Sequence, residues 1–124
     1  MRIIGIDYGT KRVGIALSDP DGQFAIPNVV IKNSIKLIDE IISLAKLNLV
    51  KTIVIGESRN YSGLANKILP DILELKKRLE ENKFEVKLEL EFMTSQQAER
   101  FQGKNDKTDA SAAALILQSY LDKI

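Results

Sequence analysis

Apolar residues fall in short blocks along this chain, and changes in their spacing mark the elements. Ile3, Ile4 and Ile6 make a strand-like run that stops at Asp7. Tyr8-Gly9-Thr10-Lys11-Arg12 has the composition of a turn, and residues 13–17 resume the apolar run, so the segment reads as a hairpin with a carboxylate at its first corner. Asp21-Gly22 turns the chain into a third strand over residues 24–31, which Pro27 marks as irregular or at an edge. Asn33 or Ser34 can then cap a helix reaching Leu47, with Ile38, Ile41, Ile42 and Ala45 on one stripe and Lys36, Asp39, Glu40 and Lys46 on the solvated side. Residues 51–56, KTIVIG, suit a central strand buried on both faces. Leu64, Ile68, Ile72, Leu75 and Leu79 recur at helical steps, with Pro70 kinking or restarting that helix. Val86, Leu88, Leu90 and Phe92 alternate with Lys87, Glu89 and Glu91, the pattern of a strand with one wet face. A short helix is expected over residues 95–101. Residues 106–124 predict a last helix with Ala112, Ala113, Ile116, Leu117, Tyr120 and Leu121 facing inward.

The resulting order is βββαβαβαα. Helices that cross between strands imply parallel neighbours, and the opening hairpins imply antiparallel ones. The expectation is an α/β fold with a mixed five-stranded sheet, its first three strands antiparallel and helices on both faces, as in the ribonuclease H-like arrangement. No repeat, linker or low-complexity tract interrupts the 124 residues, so 1–124 reads as a single domain.

Composition then narrows the chemistry. There is no Cys and no His, which removes disulfides, thiolate and imidazole zinc sites, Cys nucleophiles and Ser-His triads. Carboxylates without His favour a hard cation, Mg²⁺ or Mn²⁺. With 18 basic against 17 acidic side chains there is no global field for a polyanion, so a nucleic-acid site must be local. Candidates are Lys11 and Arg12 at the first turn, Arg59, Lys76-Lys77-Arg78, and Arg100, Lys104 and Lys107 near the last helix. For Lys76-Lys77-Arg78 a solvated helix face is the simpler account. The longest apolar runs are too short to cross a bilayer, and a strand at the N-terminus leaves no room for a signal peptide, so no membrane association and a cytoplasmic location are expected.

The acidic residues form the most informative pattern. Asp7 closes the first strand, Glu57 follows the fourth, Glu91 lies near the end of the fifth, and Asp106 and Asp109 open the last helix. If the first and fourth strands are parallel neighbours, Asp7 and Glu57 emerge side by side at the carboxyl edge of the sheet. Counting back from Ala113 and Ala112 puts Asp109 one turn earlier on the packed face. Two Mg²⁺ ions about 4 Å apart, the arrangement used to cleave phosphodiesters, need such a set of carboxylates and no His. Each acid also has a plainer explanation: Asp106 and Asp109 as a helix start, Glu91 as a solvated strand position, Glu57 as a loop residue, Asp7 as an aspartate bonding its own turn. Lys11 and Arg12 adjoin Asp7, where a backbone phosphate would lie. The Gly9-Thr10 turn has the shape of a phosphate cradle or simply of a turn that needs glycine.

DYGTKRVGIALSD, together with DASAAALILQSYLDK, resembles the YqgF or RuvX family of Holliday junction resolvases and pre-16S ribosomal RNA processing nucleases. The resemblance places the family's acids on Asp7, Glu91 and Asp109. This chain departs from the pattern in the middle: Gly56-Glu57-Ser58 stands where Gly-Leu-Pro is usual, and Phe92 replaces an arginine. Glu57 lies where the related RuvC resolvases and ribonucleases H keep a metal-binding acid, and Asp106 with Asp109 is similar to the paired acids of RuvC. The third ligand is thus Glu57 or Glu91. The resemblance implies a divalent-metal-dependent endonuclease acting on structured nucleic acid, first of all the 5′ end of pre-16S rRNA, as a monomer or homodimer. The alternatives are a dimeric resolvase of branched DNA and a catalytically silent module that binds RNA or ribosome precursors.

Overall fold

Isoleucine and valine dominate the middle strands because helices cover both faces of the sheet. The computed structural model describes residues 2–59, 69–92 and 106–124, with side chains for 2–56, 69–89 and 110–124. Strands β1 (Ile3–Asp7), β2 (Arg12–Ser18), β3 (Ala25–Lys32), β4 (Thr52–Arg59) and β5 (Glu85–Phe92) form one sheet in the order β3-β2-β1-β4-β5. The β1–β2 and β2–β3 pairs are antiparallel, and β1–β4 and β4–β5 are parallel. The helices are α1 (Leu37–Leu47), α2 (Leu69–Glu81) and α3 (Asp106–Leu121). On one face Ile4, Ile6, Val13, Ile15, Ile53 and Ile55 pack with Ile41 of α1 and Ile72, Leu75 and Leu79 of α2. On the other, Ile3, Ala16 and Val54 pack with Ala113, Ile116, Leu117 and Leu121 of α3. The mixed sheet, its antiparallel opening and the two-sided helices match the expectation. Among the described residues no helix is long and apolar enough to cross a membrane.

Helix α3 lies close against β1 because Gly5 presents no side chain there. A Cβ on Gly5 would sit 2.6 Å from Leu117 Cβ and 3.1 Å from the Ala113 carbonyl oxygen. The same helix is tied to the sheet edge by Gln118, whose Oε1 accepts the Ala25 N–H at 2.9 Å and whose Nε2 donates to the Gln23 carbonyl at 3.0 Å.

Several boundaries differ from the expected ones, each for a physical reason. Helix α1 starts at Leu37 with Lys36 at its N-cap, so neither Asn33 nor Ser34 caps it. The Asn33 amide donates instead to the Gly9 carbonyl at 2.8 Å, and Ser34 Oγ accepts the Lys36 N–H at 3.2 Å in a separate turn. Strand β4 runs to Arg59, so Glu57 lies inside it, because its ladder with β5 continues through Glu57↔Leu90, Ser58↔Glu91 and Arg59↔Phe92. Strand β3 is an edge with one extra residue: Ile15 pairs with Val29 and Ala16 with Pro27, leaving Asn28 as the bulge. Pro70 is the second described residue of α2, in a turn where a missing N–H is tolerated, and the residues that would precede a kink there, 60–68, lie outside the described ones. The wet face expected for β5 is closed at Glu89, which is 4% exposed beneath α3. Leu64, Ile68 and the helix expected over residues 95–101 lie outside the described residues.

The β2–β3 connection carries a pH-dependent contact. Asp19 Oδ1 accepts the Gln23 N–H at 2.7 Å and the Phe24 N–H at 3.0 Å, and these backbone donors hold the carboxyl below its ordinary value of 3.8. A depressed folded-state value stabilises the protein above the unfolded value and loses that contribution as pH falls through the folded one. Asp19→Ala is therefore expected to lower the thermal midpoint at pH 7, with the gap from wild type closing as pH drops below about 4. Parallel melts from pH 7 to pH 3 test this, and a gap that does not depend on pH would refute it.

Candidate active site at the carboxyl edge of the sheet

The site is organised around a row that crosses four strands. Asp7, the last residue of β1, pairs with Gly14 of β2 and Gly56 of β4, and Gly56 pairs in turn with Glu89 of β5. Alternate strand residues share a face, so Asp7 falls on the α3 side with Ile3 and Gly5. Both register neighbours of the carboxylate are glycines. No neighbouring strand side chain stands beside it on this face, although a Cβ on Gly56 would meet Ile116. Asp7 itself is half-buried.

The expected side-by-side emergence of Asp7 and Glu57 is therefore refined. The residue opposite Asp7 is Gly56, and Glu57 is one position further along β4. In a regular strand that step moves the backbone position to the α1/α2 side. Position 91 shares its face with position 89, and Glu89 lies under α3, where its carboxylate accepts from Ser119 Oγ at 2.8 Å and pairs with Lys123. Position 91 is thus on the Asp7 side of the sheet, two strands away. Asp106 and Asp109 lie in the first turn of α3, and Asp109 is one turn before Ala113, which packs fully buried on the sheet. The side chains of Glu57, Glu91, Asp106 and Asp109 lie outside the described ones, and among the described residues no three metal-ligating groups come together.

Beside Asp7 the chain makes a tight, basic loop. A Cβ on Gly9 would run into the Arg12 carbonyl, so the loop requires glycine there. Thr10, Lys11 and Arg12 are exposed around an open concavity of about 470 Å³ that Gly9 completes. The bulge at Asn28 also sets Lys32 of β3 opposite Arg12. This pair concentrates positive charge beside the Gly9–Arg12 loop. Arg59 ends β4 and Lys107 is the second residue of α3, and only their backbone positions are described. Arg100 and Lys104 lie outside the described residues. Lys76 and Arg78 pair with Glu80 and Glu74, both at 3.0 Å, as expected of a solvated helix face.

Sequence reading missed the part played by three residues: Lys32, Asn33 and Glu89. Lys32 needs the bulge to be placed, and Asn33 carried only a capping signal. Glu89 alternates with apolar residues like any wet position, yet it anchors α3 to β5.

Comparison with known proteins agrees with the fold. A family model described as "RuvX: Holliday junction resolvase" matches residues 1–123. A protein of Sulfurihydrogenibium sp. (strain YO3AOP1) named "Putative pre-16S rRNA nuclease" is 33% identical over 132 residues, covering 99% of this chain and 91% of that protein. One of the same name from Clostridium perfringens (strain SM101 / Type A) is 33% identical over 136 residues, covering 100% and 98%. Among solved structures, Thermus thermophilus RuvC superimposes with a TM-score of 0.57 at 13% identity over 99% of this chain and 95% of its own. The fowlpox virus Holliday junction resolvase gives 0.57 at 13% over the whole of both chains. These two share the fold, which is ribonuclease H-like. With the family model running from residue 1 to residue 123 and this identity sustained along the chain, the protein belongs to the RuvX family.

Proposed function

We propose that the protein is a divalent-metal-dependent endonuclease of structured RNA, acting in the cytoplasm on the 5′ end of precursor 16S rRNA. The observation that carries this reading is Asp7 at the strand rim beside the basic Gly9–Arg12 loop, in a chain whose relatives bear the name of pre-16S rRNA nucleases. An oxygen-only donor set suits Mg²⁺ or Mn²⁺, and with Gly14 and Gly56 as the register neighbours of Asp7 no strand side chain competes with it for an ion. Asp7, Asp109 and Glu91 would hold it, with Asp106 a further donor. Such an ion supplies positive charge to the phosphoryl oxygens and a nucleophile at neutral pH. Lys11 and Arg12 hold the phosphodiester over the rim, and Lys32, opposite Arg12 in the β2–β3 ladder, extends that positive surface.

The pleat supports Glu91 over Glu57 as the third ligand, because position 57 alternates to the far face. Glu91→Gln is expected to lower kcat about 100-fold, equivalent to about 2.7 kcal/mol, and Glu57→Gln by less than about threefold. The reverse ranking would transfer the role to Glu57.

The family model's description favours a second reading, resolution of four-way DNA junctions, which requires a dimer presenting two sites symmetrically. One experiment separates the readings. Purified protein is incubated with 5′-extended precursor 16S rRNA or a four-way junction, in Mn²⁺, Mg²⁺ or EDTA. Ion-dependent trimming of the RNA is expected. Cutting of the junction alone by a dimer would favour the second reading, and binding without cleavage would reduce the protein to an RNA-binding module.

A further inference from the structure

We infer that Asn33 is a positioning residue that turns the Gly9–Thr10 peptide into a phosphate donor, an assignment that rests on the nuclease reading and deepens it. Asn33 holds the loop at two points: its Nδ2 donates to the Gly9 carbonyl at 2.8 Å, and its backbone N–H donates to the Lys11 carbonyl at 3.0 Å. The two bonds span the turn that follows Asp7. No described peptide bond is cis, and in a trans peptide the N–H points opposite to the carbonyl. With the Gly9 carbonyl drawn toward Asn33, the Thr10 N–H is turned away from it. Gly9 packs against the Arg12 carbonyl too closely to admit a Cβ, so the loop is tight at this peptide. A fixed backbone N–H beside two exposed cationic side chains is the composition of an anion-binding concavity. The ligand is a nonbridging oxygen of a phosphodiester, held by the Thr10 N–H and the Lys11 and Arg12 side chains next to Asp7.

Asn33 is half-buried and its backbone bond survives substitution, so the side-chain bond can be tested separately. Asn33→Ala and Asn33→Asp both remove the donor, and Asp adds repulsion toward the Gly9 carbonyl. Each is expected to raise KM for structured RNA about 3- to 10-fold, the effect of one lost hydrogen bond, with kcat within about twofold. A merely structural bond would lower the thermal midpoint and leave KM of the folded enzyme unchanged. A normal KM in both variants therefore overturns the role of Asn33 and leaves the nuclease reading standing. If wild-type protein cleaves nothing, the nuclease reading fails, and the Thr10 amide resonance during titration with inorganic phosphate decides the inference by itself. A shift in wild type that is lost in Asn33→Ala sustains it, and no shift in wild type overturns it.

Discussion

Asp7→Asn is expected to reduce metal-dependent cleavage of structured RNA by about a thousandfold, equivalent to about 4 kcal/mol of lost transition-state stabilisation. The substitution preserves shape and removes the charge that would hold the ion. RNA binding in EDTA should not weaken, because Lys11 and Arg12 remain and a negative charge beside the phosphate has gone. The two measurements thus move in opposite senses: turnover collapses, and the dissociation constant stays level or falls. Asp7→Asn protein that still cleaves at a tenth of the wild-type rate or faster would remove Asp7 from the ligand set. Cleavage and binding lost together would point to disrupted folding, which a thermal melt of the same preparation reveals.

The second large effect is on stability. Gly5→Ala is expected to cost about 2 kcal/mol and lower the thermal midpoint by about 5–10 °C, even though alanine is ordinarily the better strand residue. The new methyl group would meet Leu117 Cβ and the Ala113 carbonyl, two atoms that cannot rotate away, so α3 itself must lift. Gly56→Ala presents a Cβ that runs into Ile116 Cδ1 and lies 2.8 Å from its Cγ1, atoms of one side chain whose δ end can turn while the backbone stays, and should cost less. Equal midpoints for the two variants would contradict the close approach of α3 to β1. Because Asp109 rides on α3 one turn before Ala113, Gly5→Ala should also lower kcat at temperatures where the protein remains folded.

What could be read in the sequence depended on whether its cause was local. Ile3, Ile4 and Ile6, the KTIVIG run and the inward stripe from Ala113 to Leu121 carry their burial in their own spacing, and the mix of antiparallel and parallel neighbours followed from the hairpins and the crossing helices. Asp7 was legible because an acid closing an apolar strand calls for a partner. The misread features depend on something distant. Gly56-Glu57-Ser58-Arg59 has the composition of a loop, yet β5 pairs with it and keeps it a strand. Asn33 has the propensity of a cap, and Gly9, 24 positions earlier, takes its amide instead. Glu89 is exposed in pattern and buried in fact because Ser119 and Lys123 reach it from α3, 30 and 34 positions downstream.

The placement of α3 also has a consequence for how the chain reaches its folded state. The β1–β2 and β2–β3 hairpins join near neighbours, and α1 and α2 follow in time to cover one side of the sheet as synthesis proceeds. The other side waits: Gln118 meets Ala25 across 93 positions, and the described cover of Ile3, Ala16 and Val54 comes from α3. Contacts of such long range form slowly, and an apolar sheet face left open in the interval is where a nascent or refolding chain adheres to another. The protein should therefore refold with high yield only when dilute, and its aggregation should be governed by how fast this last helix docks.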